Sequence, residues 1–296
     1  ILTTHDDYVS NQIAFLQLKK RFGVEVVRVR NLASGTTDLD QMEAYMKQYR
    51  PRLLAVTHVP TYSGKVQPIE QIGQLCRDSE TLYLVDACQS AGQMPLSVEE
   101  INCDFLSATF RKFLRGPRGA GFLYVSERAL EAGFEPLFLD LHSAEWLEPD
   151  RYRPDATARR FELWERPYAL LLGAKAAVQY ALDLDLSRIE ARIASLVNYC
   201  RDRLSKLPGI RILDRGEKRC GIISVEVSGW EAAPFKARLD RRGINTSIVY
   251  RQSALLEYEA RQLQWALRIS PHYYNTREEI DALSEAIADI TKSEAP

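Results

Sequence analysis

Two residues carry most of the chemical information in this chain. Asp86 closes the apolar run Leu82-Tyr83-Leu84-Val85 and is followed by Ala87-Cys88-Gln89-Ser90. Lys112 lies in Ser107-Ala108-Thr109-Phe110-Arg111-Lys112-Phe113-Leu114-Arg115-Gly116-Pro117-Arg118-Gly119-Ala120-Gly121, just past a second apolar run. A carboxylate at the end of a buried strand is costly unless something pairs with it. A lysine amine condenses with a carbonyl once its pKa is lowered, and Arg111, Arg115 and Arg118 nearby favour the neutral amine. The same arginines suit a phosphate, and Gly116, Gly119 and Gly121 let the backbone approach one closely. An acid and a lysine at two strand ends suit a carbonyl cofactor with a basic ring nitrogen. Each also has a plainer reading. Asp86 is a natural helix N-cap, with Gln89 completing the cap, and the Lys112 run has the composition of a basic surface loop.

The surrounding elements determine whether these residues meet. Strands are expected at 24–30, 52–59, 81–85, 105–109 and 121–125, and helices at 11–22, 38–48, 68–77 and 98–101. Alternating helices and uninterrupted apolar strands signal an α/β fold, with a mostly parallel sheet covered on both faces. Ligands of such sheets bind beyond the carboxyl ends of the strands, and His58, Asp86 and residues 109–112 all fall at such ends. Residues 139–160 read as a long loop. Helices follow at 167–184 and 187–207, the second with Ser187 as N-cap and Glu190 completing a capping box. Beyond them, strands at 209–214, 221–227 and 244–249 and helices at 234–242 and 276–292 form a smaller α+β module.

Composition narrows the function class. The chain has 296 residues, with 39 Lys and Arg against 40 Asp and Glu, and no basic stripe, so nucleic acid is excluded as the main partner. No apolar run approaches the roughly 20 residues of a membrane span, and no charged-then-apolar leader precedes the first strand. Cys76, Cys88, Cys103, Cys200 and Cys220 are scattered and lack a CxxC pair. That points to reduced thiols in a cytoplasmic protein, most of them buried small apolar residues, rather than to disulfides or a metal site.

Several motifs now fall into one pattern. Thr57-His58-Val59-Pro60-Thr61, Gly64, Pro68, Val85-Asp86-Ala87-Cys88-Gln89-Ser90-Ala91-Gly92, Asp104, Arg111-Lys112 and Gly116-Pro117-Arg118-Gly119 together resemble the aminotransferase class V family. These are fold-type I enzymes dependent on pyridoxal 5'-phosphate (PLP), and they include cysteine desulfurases, selenocysteine lyases and isopenicillin N epimerase. The likeness covers about residues 1–276. It implies a large PLP-binding domain at 1–184 and a small carboxy-terminal α+β domain at 185–296. The family's first phosphate-binding turn is expected upstream of Ile1, so part of the large domain would precede this chain.

The resemblance also implies roles. Lys112 would form the Schiff base and shuttle the proton at the substrate α-carbon. Asp86 would pair with the pyridine nitrogen and Gln89 with the phenolic oxygen. Thr109 and Arg111 match positions that hold the phosphate, Tyr8 falls where an aromatic ring lies over the pyridine, and Thr61 stands where an Asn often contacts a cofactor oxygen. Arg268, in Leu267-Arg268-Ile269-Ser270, matches the arginine that grips the substrate α-carboxylate, a planar acid suited to a guanidinium fork. Tyr273-Tyr274-Asn275-Thr276 resembles the motif that opens the family's last helix. The implied enzyme is a homodimer acting on a small amino acid.

Cysteine desulfurases carry a catalytic cysteine in a loop before the Arg268 position, and residues 247–265 hold none. A lyase (carbon–sulfur cleavage or β-elimination) or an aminotransferase is therefore expected, not a persulfide relay. Epimerisation uses the same residues and stays open. So does a catalytically inactive scaffold, motivated by the upstream turn and by Glu165 near the partner-subunit phosphate position.

Overall fold

Apolar runs without alternation build the central sheet of the computed structural model, which describes residues 1–216 and 218–292. Residue 217 and residues 293–296, the end of the expected 185–296 module, lie outside the described residues. The chain begins with β1 (Leu2–Thr4), α1 (Val9–Phe22), β2 (Val27–Val29), α2 (Leu39–Tyr49) and β3 (Leu53–Thr57). It continues with α3 (Ile69–Cys76), β4 (Leu82–Asp86), α4 (Val98–Ile101), β5 (Phe105–Thr109) and β6 (Gly121–Val125). The strands lie in the order β2-β1-β3-β4-β5-β6, parallel except for β6 against β5. From β1 the chain steps to β2 on one side, then crosses to β3 on the other. That reversal opens a crevice at the carboxyl ends of β1 and β3, the switch point where such sheets bind ligands.

Local chemistry explains the helix positions. α3 buries Ile69, Ile72, Gly73 and Cys76, the spacing of one apolar stripe. Asp38 caps α2, its carboxylate accepting the Gln41 N–H at 2.9 Å.

Next come α5 (Glu127–Glu131), β7 (Ala144–Glu148), β8 (Arg151–Pro154), a 3-10 turn (Ala158–Phe161), α6 (Tyr168–Leu184) and α7 (Leu186–Ser205). The remainder is β9 (Ile210–Ile212), β10 (Ile223–Val227), α8 (Ala232–Asp240), β11 (Ser247–Tyr250), a 3-10 turn (Arg251–Ser253), α9 (Leu255–Ala260), β12 (Trp265–Ile269) and α10 (Arg277–Lys292). β9 to β12 form an antiparallel sheet ordered β11-β12-β10-β9. Against it α7 buries Ile189, Ile193, Leu196, Val197, Cys200 and Leu204. Burying each of the larger aliphatic side chains stabilises the fold by about 1.5–3 kcal/mol. One apolar core joins the two sheets, running from Leu54 and Val85 to Val225, Leu267 and Ile287.

Two sequence expectations are corrected. Residues 139–160 are not a plain loop: β7 and β8 pair as an antiparallel hairpin. Trp146 and Tyr152, opposite each other on it, are both exposed, so the ribbon has no buried face to leave an alternating signature. The cap of α7 is Asp185, whose carboxylate accepts the Ser187 N–H at 2.8 Å, rather than Ser187 in a capping box. The short helices α5 and α9 and the strand β12 were not anticipated.

Candidate active site

The strand register sets the site. Thr57 pairs with Asp86 and Asp86 with Ser107, so the carboxyl ends of β3, β4 and β5 lie side by side. Asp86 is the last residue of β4. Its Oδ1 accepts the Cys88 N–H at 2.9 Å, which makes a turn with no helix behind it, so the N-cap reading fails. Its Oδ2 accepts from Asn11 Nδ2 at 3.2 Å. A carboxylate offers about four lone-pair positions, so capacity remains for a further donor. Gln89 is buried and its Nε2 donates to Thr61 Oγ1 at 3.2 Å, tying the turn after β4 to the turn after β3.

The turn after β4 closes directly on the Lys112 turn. Gly92 has φ +88°, and a Cβ there would stand 2.6 Å from the Leu114 nitrogen. Only glycine combines that backbone with that approach. The Lys112 turn is pinned by its own backbone, with Gly116 N–H donating to Phe110 O at 2.7 Å and Arg115 N–H to Lys112 O at 2.9 Å. Thr109 ends β5, its hydroxyl donating to Ala120 O at 3.4 Å.

Charge shows which groups converge. Lys112 is half-buried, and burial is the main cause holding its amine below the usual lysine range. Arg111 and Arg268 lower it further, while Cys88 and Asp86 oppose them. Burial, then the charge of Asp86, pushes the Cys88 thiol up to about 12. Cys88 is thus a member of this cluster, not inert filling. Arg268, on β12, is half-buried, and its Nε donates to Ser270 Oγ at 3.1 Å. Ring stacking joins its loop to the Lys112 turn. Phe113 lies 5.1 Å from His272 at 16°, and the Arg115 guanidinium sits 5.2 Å over Tyr274.

The remaining expected residues lie at the rim. Arg111 is exposed and makes no hydrogen bond or ion pair with the described residues. Tyr8 caps α1 and is 37% exposed, and its N–H donates to Asp7 Oδ1 at 2.7 Å and to Thr57 Oγ1 at 3.0 Å. Asp7 and Asn11 were missed, because polar residues opening a helix give no signal of their own. His58, at the end of β3, is buried and neutral: burial, then the charge of Lys218, lowers its pKa to about 3. Its Nδ1 has no partner among the described residues.

Replacing Arg268 by glutamine should raise the Lys112 pKa, since one lowering charge is removed. Capture of an aromatic aldehyde by Lys112 should then need a higher pH. The pH profile of the capture rate checks this, and an unmoved limb would place Arg268 outside the site.

The sequence profile of the aminotransferase class-V family matches residues 1–283. Among curated proteins, the probable cysteine desulfurase of Methanothermobacter thermautotrophicus is 29% identical over 297 residues, covering 98% of this chain and 72% of that protein. Among solved structures, the apo cysteine desulfurase of Thermococcus onnurineus NA1 is similar with a TM-score of 0.90 at 27% identity, covering 98% of this chain and 72% of that one. The cystine C–S lyase C-DES, solved with its product cysteine persulfide, shares the fold with a TM-score of 0.81 at 22% identity, covering 100% and 75%.

Proposed function

The chain belongs to the aminotransferase class-V family, and on that premise we propose that it is a PLP-dependent lyase acting on a small β-substituted amino acid. The observation that carries this reading is geometric: the carboxyl ends of β3, β4 and β5 lie side by side, and the turn after Asp86 closes directly on the Lys112 turn. The residues present fit the cofactor. Asp86 keeps lone-pair capacity for a ring N–H, the Arg111 donors are unspent, and the Lys112 amine has a depressed pKa.

Bound PLP supplies an electron sink for the charge left at the substrate α-carbon when its proton departs. The chain's own residues do the rest. Lys112 binds the cofactor aldehyde and then moves the α-proton, a task its depressed pKa suits because more of it is neutral near pH 7. Asp86 would accept from the ring nitrogen, and Gln89 would offer its second amide hydrogen to the phenolic oxygen. Thr109 and Arg111 hold the phosphate. Tyr8 and Thr61 border the ring. Among the described residues only the Nε of the Arg268 side chain is engaged, so its terminal nitrogens would form a fork for the substrate carboxylate.

The cysteines favour release of the sulfur product over a protein-bound persulfide. The expected desulfurase position within 247–265 has none, Cys76, Cys103, Cys200 and Cys220 are buried, and burial with the charge of Asp86 pushes the Cys88 thiol up to about 12. In this reading residues 1–184 belong to the PLP domain and 185–296 to the small domain. No helix among the described residues is long and apolar enough to cross a membrane. Trp146, Trp164, Tyr168 and Leu172 are exposed, and a homodimer would cover them.

The test is a panel of β-substituted amino acids scored for keto acid plus ammonia, for keto acid with pyridoxamine phosphate, and for racemisation. Keto acid and ammonia in equal amounts support the lyase. Pyridoxamine phosphate or racemised substrate alone would overturn it.

A further inference from the structure

We propose that Asn11 is a positioning residue that aims Asp86 at the cofactor ring nitrogen, with Asp7 as its anchor. This rests on the PLP reading above.

Asn11 lies in the first turn of α1, and its single amide nitrogen serves two carboxylates. Nδ2 donates to Asp7 Oδ1 at 3.1 Å and to Asp86 Oδ2 at 3.2 Å, across 75 positions of sequence. A primary amide nitrogen has two hydrogens, and both are committed here. The flipped amide would set its oxygen against two acids, so the orientation is fixed.

Asp7 is held more firmly still. It is buried and also accepts from Thr3 Oγ1, Thr57 Oγ1 and the Tyr8 N–H. Those donors come from β1, β3 and the turn after β1, the rigid edge of the switch point. The chain of contacts therefore runs from two strands through Asp7 and Asn11 to Asp86. On the other side, the Cys88 N–H fixes Asp86 Oδ1.

This geometry has an electrostatic result. A carboxylate held with free lone pairs toward a ring N–H favours the protonated ring nitrogen. Asn11 also separates two acids that would otherwise face each other. α1 does not depend on this contact for its placement, because Gln12 Nε2 donates to Thr4 O at 3.1 Å and the Tyr8 N–H to Thr57 Oγ1.

The test uses the protein reconstituted with PLP labelled with 15N in the ring, read by NMR across pH, with PLP stoichiometry, thermal midpoint and kcat measured in parallel. Wild type should show a protonated ring nitrogen. Asn11→Ala should bind PLP but lose that protonation at lower pH, with kcat down about tenfold and KM little changed, the loss typical of a supporting hydrogen-bond partner. Asn11→Asp, nearly isosteric, should lose more, since a third acid replaces a donor, and it carries the test should Asn11→Ala not fold. Variants that bind PLP with ring-nitrogen titration and kcat like wild type would overturn the inference and leave the PLP reading intact. A wild-type protein that binds no PLP would overturn both.

Discussion

Lys112→Ala should lower turnover by about a thousandfold, within the range of losses seen when a positioned acid–base group is removed. The Lys112 amine is half-buried, and burial is the main cause holding it below the usual lysine range, which suits it to take up a proton. Arg111 and Arg268 stay protonated, and burial pushes Cys88 up to about 12. Lys112→Arg should be equally inactive, because it restores the charge but not the base. The fold should survive both changes, since the turn is held by backbone bonds from Arg115 and Gly116, not by the lysine side chain. Single-turnover kinetics with a preloaded substrate, alongside a thermal melt, read the two effects separately. Turnover that persists in Lys112→Ala would assign α-proton transfer to another group.

Lys65→Met should destabilise the fold by about 3–5 kcal/mol, the loss expected when one partner of a buried ion pair is removed. Asp6 follows β1 and is fully buried with Lys65, which also donates to Gly35 O. Tyr62 Oη, Gln67 Nε2 at 2.6 Å and Asn31 Nδ2 at 2.9 Å complete the acceptor sites of Asp6. Burial alone would raise the Asp6 carboxyl, but the charge and hydrogen bond of Lys65, with those of Tyr62 and Asn31, hold it below the ordinary range. A depressed folded pKa stabilises above the unfolded value, and that contribution disappears as pH falls through the folded one. In Lys65→Met the sign reverses, because an unpaired buried carboxyl takes up a proton more readily when folded. The variant should therefore be less impaired near pH 4 than near pH 7, the window about the ordinary Asp value. Urea unfolding at both pH values measures this. Adding Asp6→Asn to Lys65→Met should recover part of the loss. A loss under about 1 kcal/mol at pH 7 would mean that the pair contributes little.

The parts of the site that were legible in the sequence share a cause. Asp86 follows an uninterrupted apolar run and Lys112 a mainly apolar one, and such runs become parallel strands whose carboxyl ends face ligands. Chemistry-bearing residues at those ends therefore stand out before any coordinates exist. Arg268 was legible only through its motif. Its strand β12 escaped notice because a charged residue interrupts the apolar run and the strand draws its stability from neighbours on both sides, β10 and β11. Asn11 was illegible for a different reason. Its importance lies in a contact with Asp86 that no local period encodes. The cysteines were read as mostly buried small apolar residues, and composition does not reveal that the Cys88 thiol feels the charge of Asp86. The hairpin β7–β8 was hidden by the exposure of both its faces, and Asp185 by the usual preference for a serine box.

The central claim is that Lys112 is the residue that binds PLP. The most direct measurement is to incubate the protein with PLP, reduce it with borohydride, digest it and map the adduct by mass spectrometry. The expected result is a single reduced cofactor adduct on the peptide carrying Lys112, absent from Lys112→Ala. No adduct, or one on another lysine such as Lys65 or Lys218, would contradict it.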